Sequence, residues 1–126
     1  MAGYVSLQDV TKTYQMGEIT IKAADGISFD VEKGEFVIVV GPSGAGKTTF
    51  LNIIAGLESP DSGEVLWDGR RIDLLSNSKQ AALRARFMGF VFQNCCLIPE
   101  LNARENVEFA ARIAGVYERR KSRARA

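Results

Sequence analysis

The feature that most constrains this chain is a change of texture at residue 41. Phe36-Val-Ile-Val-Val40 is the longest unbroken apolar run, and every residue after Phe36 is β-branched. Such a run suits a strand covered on both faces. It leads straight into Gly41-Pro-Ser-Gly-Ala-Gly-Lys-Thr48, after which Phe50, Ile53, Ile54 and Leu57 fall on one face of a helix. A buried strand, a glycine-rich turn and an amphipathic helix in that order call for a layered α/β arrangement.

Gly41, Gly46, Lys47 and Thr48 satisfy G-x-x-x-x-G-K-[ST], the P-loop pattern, in its required strand–turn–helix setting. Each residue type has a reason. Backbone N–H groups must converge on phosphate oxygens, so positions without a Cβ are needed, and Gly41, Gly44 and Gly46 supply them. The following helix turns its N-terminal N–H groups toward the same anion. Lys47 brings a mobile positive charge, and the Thr48 hydroxyl suits Mg²⁺, a hard cation that prefers oxygen. The pattern by itself indicates a nucleoside triphosphate and leaves kinase, GTPase and ATPase open.

The rest of the chain reads more coarsely. Val5, Leu7 and Val10 alternate with polar neighbours up to Tyr14, as in a half-buried strand. Ile19 and Ile21 begin a second strand past the turn Gln15-Met16-Gly17, and Ile27, Phe29 and Val31 mark a third. Together they predict a small antiparallel sheet with one wet face. Val65–Trp67, Asp68-Gly69 and Arg70–Ile72 spell a hairpin. Residues 78–87 read as a helix and Met88–Phe92 as a second short apolar strand. Asn102-x-x-Glu105 is a capping box that opens a helix with the apolar stripe Val107, Ala110, Ala111 and Ala114.

With 46% hydrophobic and 25% charged residues, the composition excludes a disordered tail, a collagen-like fibre and a coiled coil. No apolar run is long enough for a membrane-spanning helix. The opening residues have no basic region followed by an apolar stretch, which points to a chain without a secretory signal. Cys95 and Cys96 are adjacent, suit a reducing compartment, and are expected to be two small buried hydrophobes. There is no histidine, so no imidazole chemistry. The net charge of +1 hides a basic run, residues 118–126, which is read as a solvated helix face or frayed end rather than a nucleic-acid or lipid arm.

Several segments in the right order resemble the ATP-binding subunit of ABC transporters: V-S-L-Q-D-V-T-K-T-Y14, G-P-S-G-A-G-K-T-T49, L-N-I-I-A-G-L57, P-D-S-G-E64, F-M-G-F-V-F-Q93 and L-N-A-R-E-N-V107. Residues 82–107 look most like the lipoprotein-release and macrolide-export branch. The resemblance implies a P-loop NTPase (RecA-like) α/β core with an N-terminal antiparallel β-subdomain and the truncated start of the ABC helical subdomain. The expected division is 1–93, β-subdomain plus P-loop core, and 94–126, the Q-loop continuation and start of the helical subdomain.

It further implies that ATP and Mg²⁺ are bound. Gly41, Pro42, Ser43, Gly44, Ala45, Gly46, Lys47, Thr48 and Thr49 would hold the phosphates, and Tyr14 would stack on adenine. Thr48 and Gln93 would reach Mg²⁺, and Gln93 would orient the attacking water. Implied partners are a transmembrane permease subunit, met through the segment after Gln93 that includes Leu97–Leu101, and a second ATP-binding subunit, with no nucleic acid. The implied location is cytoplasmic, peripheral on the inner face of the cell membrane. Related sequences usually carry an aromatic two residues after the Q-loop glutamine, where this chain has Cys95. The signature motif L-S-G-G-Q, an acidic strand ending in Asp-Glu (Walker B) and a switch histidine are absent from the 126 residues. The expectation is a truncated N-terminal half that binds ATP without hydrolysing it, and whose central sheet lacks several strands, leaving Phe36–Val40 and Met88–Phe92 under-covered. The alternatives are a soluble non-transport ABC protein and a non-functional remnant.

Overall fold

The computed structural model describes residues 3–93 and 96–115. They fall into two units, Met1–Gln80 and Ala81–Ala126. The first is built on a hairpin. Strand β1 (Val5–Met16) turns at Gly17-Glu18 and pairs antiparallel with β2 (Ile19–Val31), in a register running from Met16 opposite Ile19 to Val5 opposite Val31. The two strands expected between residues 19 and 31 are therefore one. Gly26, at a left-handed φ of 62°, lets the strand pass a register irregularity without ending.

Helix α1 (Lys47–Ile54) follows the glycine-rich loop. Strands β3 (Ser62–Trp67) and β4 (Arg70–Arg71) then complete a sheet of order β2-β1-β3-β4. The Asp68-Gly69 turn has positive φ at both residues, 48° and 77°, as a two-residue hairpin turn of the twist-matched kind requires. Leu7, Val10, Val65, Trp67 and Ile72 are buried with Ile53 of α1. Two links fasten that helix. Phe50 meets Phe29 edge-on, with ring centroids 5.5 Å apart, and the Trp67 indole N–H donates to the Ile54 carbonyl at 2.8 Å.

Helix α2 (Asn77–Phe87) confirms the helical reading of residues 78–87, and its buried Gln80 donates to the Ile72 carbonyl at 2.7 Å. Helix α3 (Ala103–Ile113) opens with the expected capping box: the Asn102 side chain accepts from the Glu105 N–H, and the Glu105 carboxylate from the Asn102 N–H, each at 2.9 Å.

Two expected strands do not form. Phe36–Val40 lies outside every ladder among the described residues, with Phe36 88%, Ile38 71% and Val40 82% exposed. Met88–Phe92 likewise joins no ladder among the described residues, with Val91 exposed and the Phe90 and Phe92 rings stacked 5.8 Å apart. A strand buried on both faces needs neighbours on both edges. No strand among the described residues offers either segment one. The apolar stripe of α3 is likewise uncovered, Val107 being exposed, whereas Glu108 is buried. Cys96 is exposed rather than a small buried hydrophobe. Asn94, Cys95 and the basic run 118–126 lie outside the described residues.

Gly63 marks the tightest crossing in the sheet. Its φ is 93°, and a Cβ there would meet the Asp9 and Gln8 carbonyl oxygens at 2.4 and 2.6 Å. Gly63→Ala should therefore lower the unfolding free energy by about 1–3 kcal/mol. Urea denaturation measures it, and an unchanged midpoint would contradict the packing described here.

Candidate functional site

The loop from Gly41 to Gly46 is shaped by its own backbone and by the sheet beneath it. The Ala45 N–H donates to the Pro42 carbonyl at 3.1 Å, closing a tight turn over Ser43 and Gly44, and Gly44 takes a φ of 82°. Gly46, the residue before α1, has a φ of 89°. A Cβ on it would lie 2.5 Å from the Ala23 carbonyl oxygen of β2. Two independent constraints thus demand glycine at position 46: left-handed backbone and contact with a neighbouring main chain.

Gly46 has no side chain with which to cap the helix, and the first turn of α1 contains no acidic residue. The N-terminal N–H groups of α1 and its positive dipole end are left for an anion. The Lys47 ammonium donates to the Gly41 carbonyl, so its chain folds back across the loop. An ammonium has three N–H donors, and two remain for phosphate oxygens. Gly41 through Ala45 and Thr48 are exposed, with Gly46, Lys47 and Thr49 half-buried. Loop, helix start and lysine thus lie against one another within the first unit. Thr48, the next residue in the chain, is exposed, and its hydroxyl is an oxygen donor of the kind a hard cation takes.

Tyr14 reaches the same helix from the end of β1. Its hydroxyl donates to Oε1 of Glu58, just beyond α1, and also hydrogen-bonds Thr49. Lys12 lies with its ammonium 5.5 Å from the Tyr14 ring centroid and 3.9 Å from Glu58 Oε1. Hydrogen bonding to Glu58, then burial, pushes the Tyr14 phenol above its ordinary value. Asp61 completes the arrangement. It accepts from the Thr13 N–H at 2.7 Å and from the Thr13 hydroxyl at 2.9 Å, and it faces Lys12 at 3.5 Å. The Thr13 bonds, backbone first, hold the Asp61 carboxyl below its ordinary value. The sequence pattern missed Lys12, Glu58 and Asp61, because no periodicity relates residues 12–14 to a turn more than forty positions later.

Gln93 belongs to the second unit and is exposed. Within that unit the loop Leu97–Leu101 is pinned to α3 by Asn106, also missed in the sequence. The Asn106 side chain accepts from the Ile98 N–H at 2.9 Å and donates to the carbonyls of Ile98, Leu101 and Asn102 at 3.0–3.3 Å. The loop is thereby held in one shape while Leu97 stays 66% exposed.

The chain is similar to known proteins. The sequence profile described as ABC transporter matches residues 24–126. An uncharacterized ABC transporter ATP-binding protein of Thermotoga maritima is 44% identical over 123 residues, 98% of this chain and 53% of the relative. A macrolide export ATP-binding/permease protein, MacB of Syntrophobacter fumaroxidans, is 46% identical over 111 residues, 88% of this chain and 16% of the relative. A solved dimeric bacterial ABC transporter cassette superposes with a TM-score of 0.90 at 41% identity, covering 96% of this chain and 53% of that one. Another structure of an ATP-binding cassette, dimeric and bound to ADP and Pi after hydrolysis, superposes with a TM-score of 0.86 at 41% identity, over 94% of this chain and 53% of that one. The chain thus spans about half the length of the cassettes it matches, and the α/β P-loop fold is common to them.

The lowered Asp61 titration sets the sign of a pH effect. Stability supplied by an ionised carboxylate is fully present above its ordinary value and is lost as pH falls through the lowered one. Asp61→Asn should melt below the parent at neutral pH, and the gap should close as the pH drops through the acidic range. A gap that stays constant down to the acid limit would remove Asp61 from the linkage.

Proposed function

This chain belongs to the ABC transporter family, and we propose that it is the ATP-binding component of a transport system. The observation that carries the reading is the loop before α1: a left-handed Gly46 against β2, an uncapped helix start, and Lys47 across the loop. In this reading the N–H groups of residues 41–49 and the Lys47 ammonium bind the phosphates. Tyr14 stacks on adenine from the end of β1. The Thr48 hydroxyl would be an oxygen donor for Mg²⁺, which when bound neutralises phosphate charge.

The rigid Leu97–Leu101 loop, with its exposed leucine, is the surface offered to a transmembrane permease. The described residues contain no helix long and apolar enough to cross a membrane themselves. The MacB relative joins ATP-binding and permease functions in its own name, and the superposing cassettes are dimers. By analogy, this subunit works at the cytoplasmic face, paired with a second ATP-binding subunit and a permease.

Binding is the step these residues can perform. Phosphoryl transfer depends on positioned water and stabilised charge. The 126 residues include no histidine, no L-S-G-G-Q and no apolar strand ending in Asp-Glu. Parts that act as a unit are not additive, so residues 1–126 by themselves should turn over little ATP.

Titration with a fluorescent ATP analogue tests binding. Lys47→Ala should abolish most affinity, and Tyr14→Ala should cost about 1–2 kcal/mol, the scale of one stacking contact. A Lys47 variant that binds like the parent would end the P-loop reading. Steady-state phosphate release with Mg²⁺-ATP should stay at background. Turnover that disappears in Lys47→Ala would instead reveal a base among these residues, with Glu100 and Glu105 the first to test.

A further inference from the structure

We propose that Glu58 is a positioning residue for the nucleotide base, acting through Tyr14 and held in place by Lys12; this rests on the reading of the loop as an ATP site. A tyrosine ring at a strand end turns about two side-chain torsions, and a stacking platform requires that freedom to be removed. Here the far end of the ring is tied down, because the hydroxyl donates to Glu58 and also hydrogen-bonds Thr49, next to Thr48 of the phosphate loop. Lys12 leans toward the ring, its ammonium 5.5 Å from the centroid, and approaches Glu58 at 3.9 Å. With a cation beside one side of the ring, a stacked purine would take the other. The backbone that carries Glu58 is fixed as well: the Glu58 N–H donates to the Asn52 carbonyl at 3.2 Å, and the Asp61 N–H donates to the Thr11 carbonyl at 2.8 Å. Residues 58–61 thus form a bracket that fixes residues 11–14.

The Lys12–Glu58 pair, unlike Asp61, is poorly suited to a purely stabilising task. At 3.9 Å, Lys12 and Glu58 are at the outer limit of an ion pair, and so long a contact to a flexible lysine contributes little to folding. Their effect should therefore appear in base recognition rather than in stability.

The experiment measures binding of Mg²⁺-ATP and of inorganic tripolyphosphate, which has phosphates and no base, to the full chain and to Glu58→Gln, Tyr14→Phe and the double variant. Glu58→Gln should weaken ATP binding about threefold to tenfold and leave tripolyphosphate binding unchanged. Tyr14→Phe, which keeps the ring and removes the tether, should do the same, and the double variant should be no weaker than either single one. Melting temperatures should stay close to the parent's. An ultraviolet titration adds a signature that a merely structural role would not move. One of the three tyrosines should lose its proton late in the parent and return toward the ordinary value in Glu58→Gln. Unchanged ATP affinity, equal losses for both ligands, or an unmoved tyrosine titration would overturn the proposal. A parent that binds tripolyphosphate as tightly as ATP would overturn it while sparing the phosphate site. A parent that binds neither would overturn the ATP reading itself.

Discussion

The contact between Gly46 and the Ala23 carbonyl is the constraint on which the site depends. With only 2.5 Å available to a Cβ, the chain can pass that point only as glycine, and only there does α1 start against β2. An eight-residue helix is marginal on its own, so its stability must come from what it packs on. The sheet supplies this through the Phe29–Phe50 contact at one end and the bond from Trp67 to the Ile54 carbonyl at the other. The phosphate loop is therefore shaped by the sheet, since its own bonds close only one turn. Glycine and lysine in that loop are necessary, but their geometry is imposed by residues 23, 29 and 67.

Local chemistry was the part of this structure most legible in the sequence. Asp68-Gly69 formed the expected hairpin turn, and Asn102 with Glu105 formed the expected capping box, because each depends on residues within a few positions of one another. The glycines of the phosphate loop were readable for the same reason. Phe36–Val40 shows the limit of pattern reading. Continuous apolarity states that a segment gains by being covered, yet a strand forms only where another strand presents its edge. Tyr14 illustrates the complementary case. Its place at the end of the first strand was visible, whereas its partners Glu58 and Thr49 are brought to it by the fold. No spacing rule connects them.

The second unit shows how polar groups can organise a surface without burying it. A single amide, Asn106, engages both the N–H and the carbonyl of Ile98 and the carbonyls of Leu101 and Asn102. The loop around Pro99 is preorganised by these bonds, and its apolar side chains need not turn inward to hold its shape. Uncovered apolar area on a fixed loop loses little conformational entropy when it meets a partner.

The division of the chain at Gln80 also has a temporal meaning. Every contact that shapes the phosphate loop and the Tyr14 bracket lies within Met1–Gln80. Proteins are synthesised from the N-terminus, and units tend to fold as they emerge. The loop can reach its final form while residues 81–126 are still being added. Over that interval Phe36, Ile38 and Val40 already stand uncovered immediately before the loop, so the largest apolar exposure of the first unit adjoins its most constrained backbone.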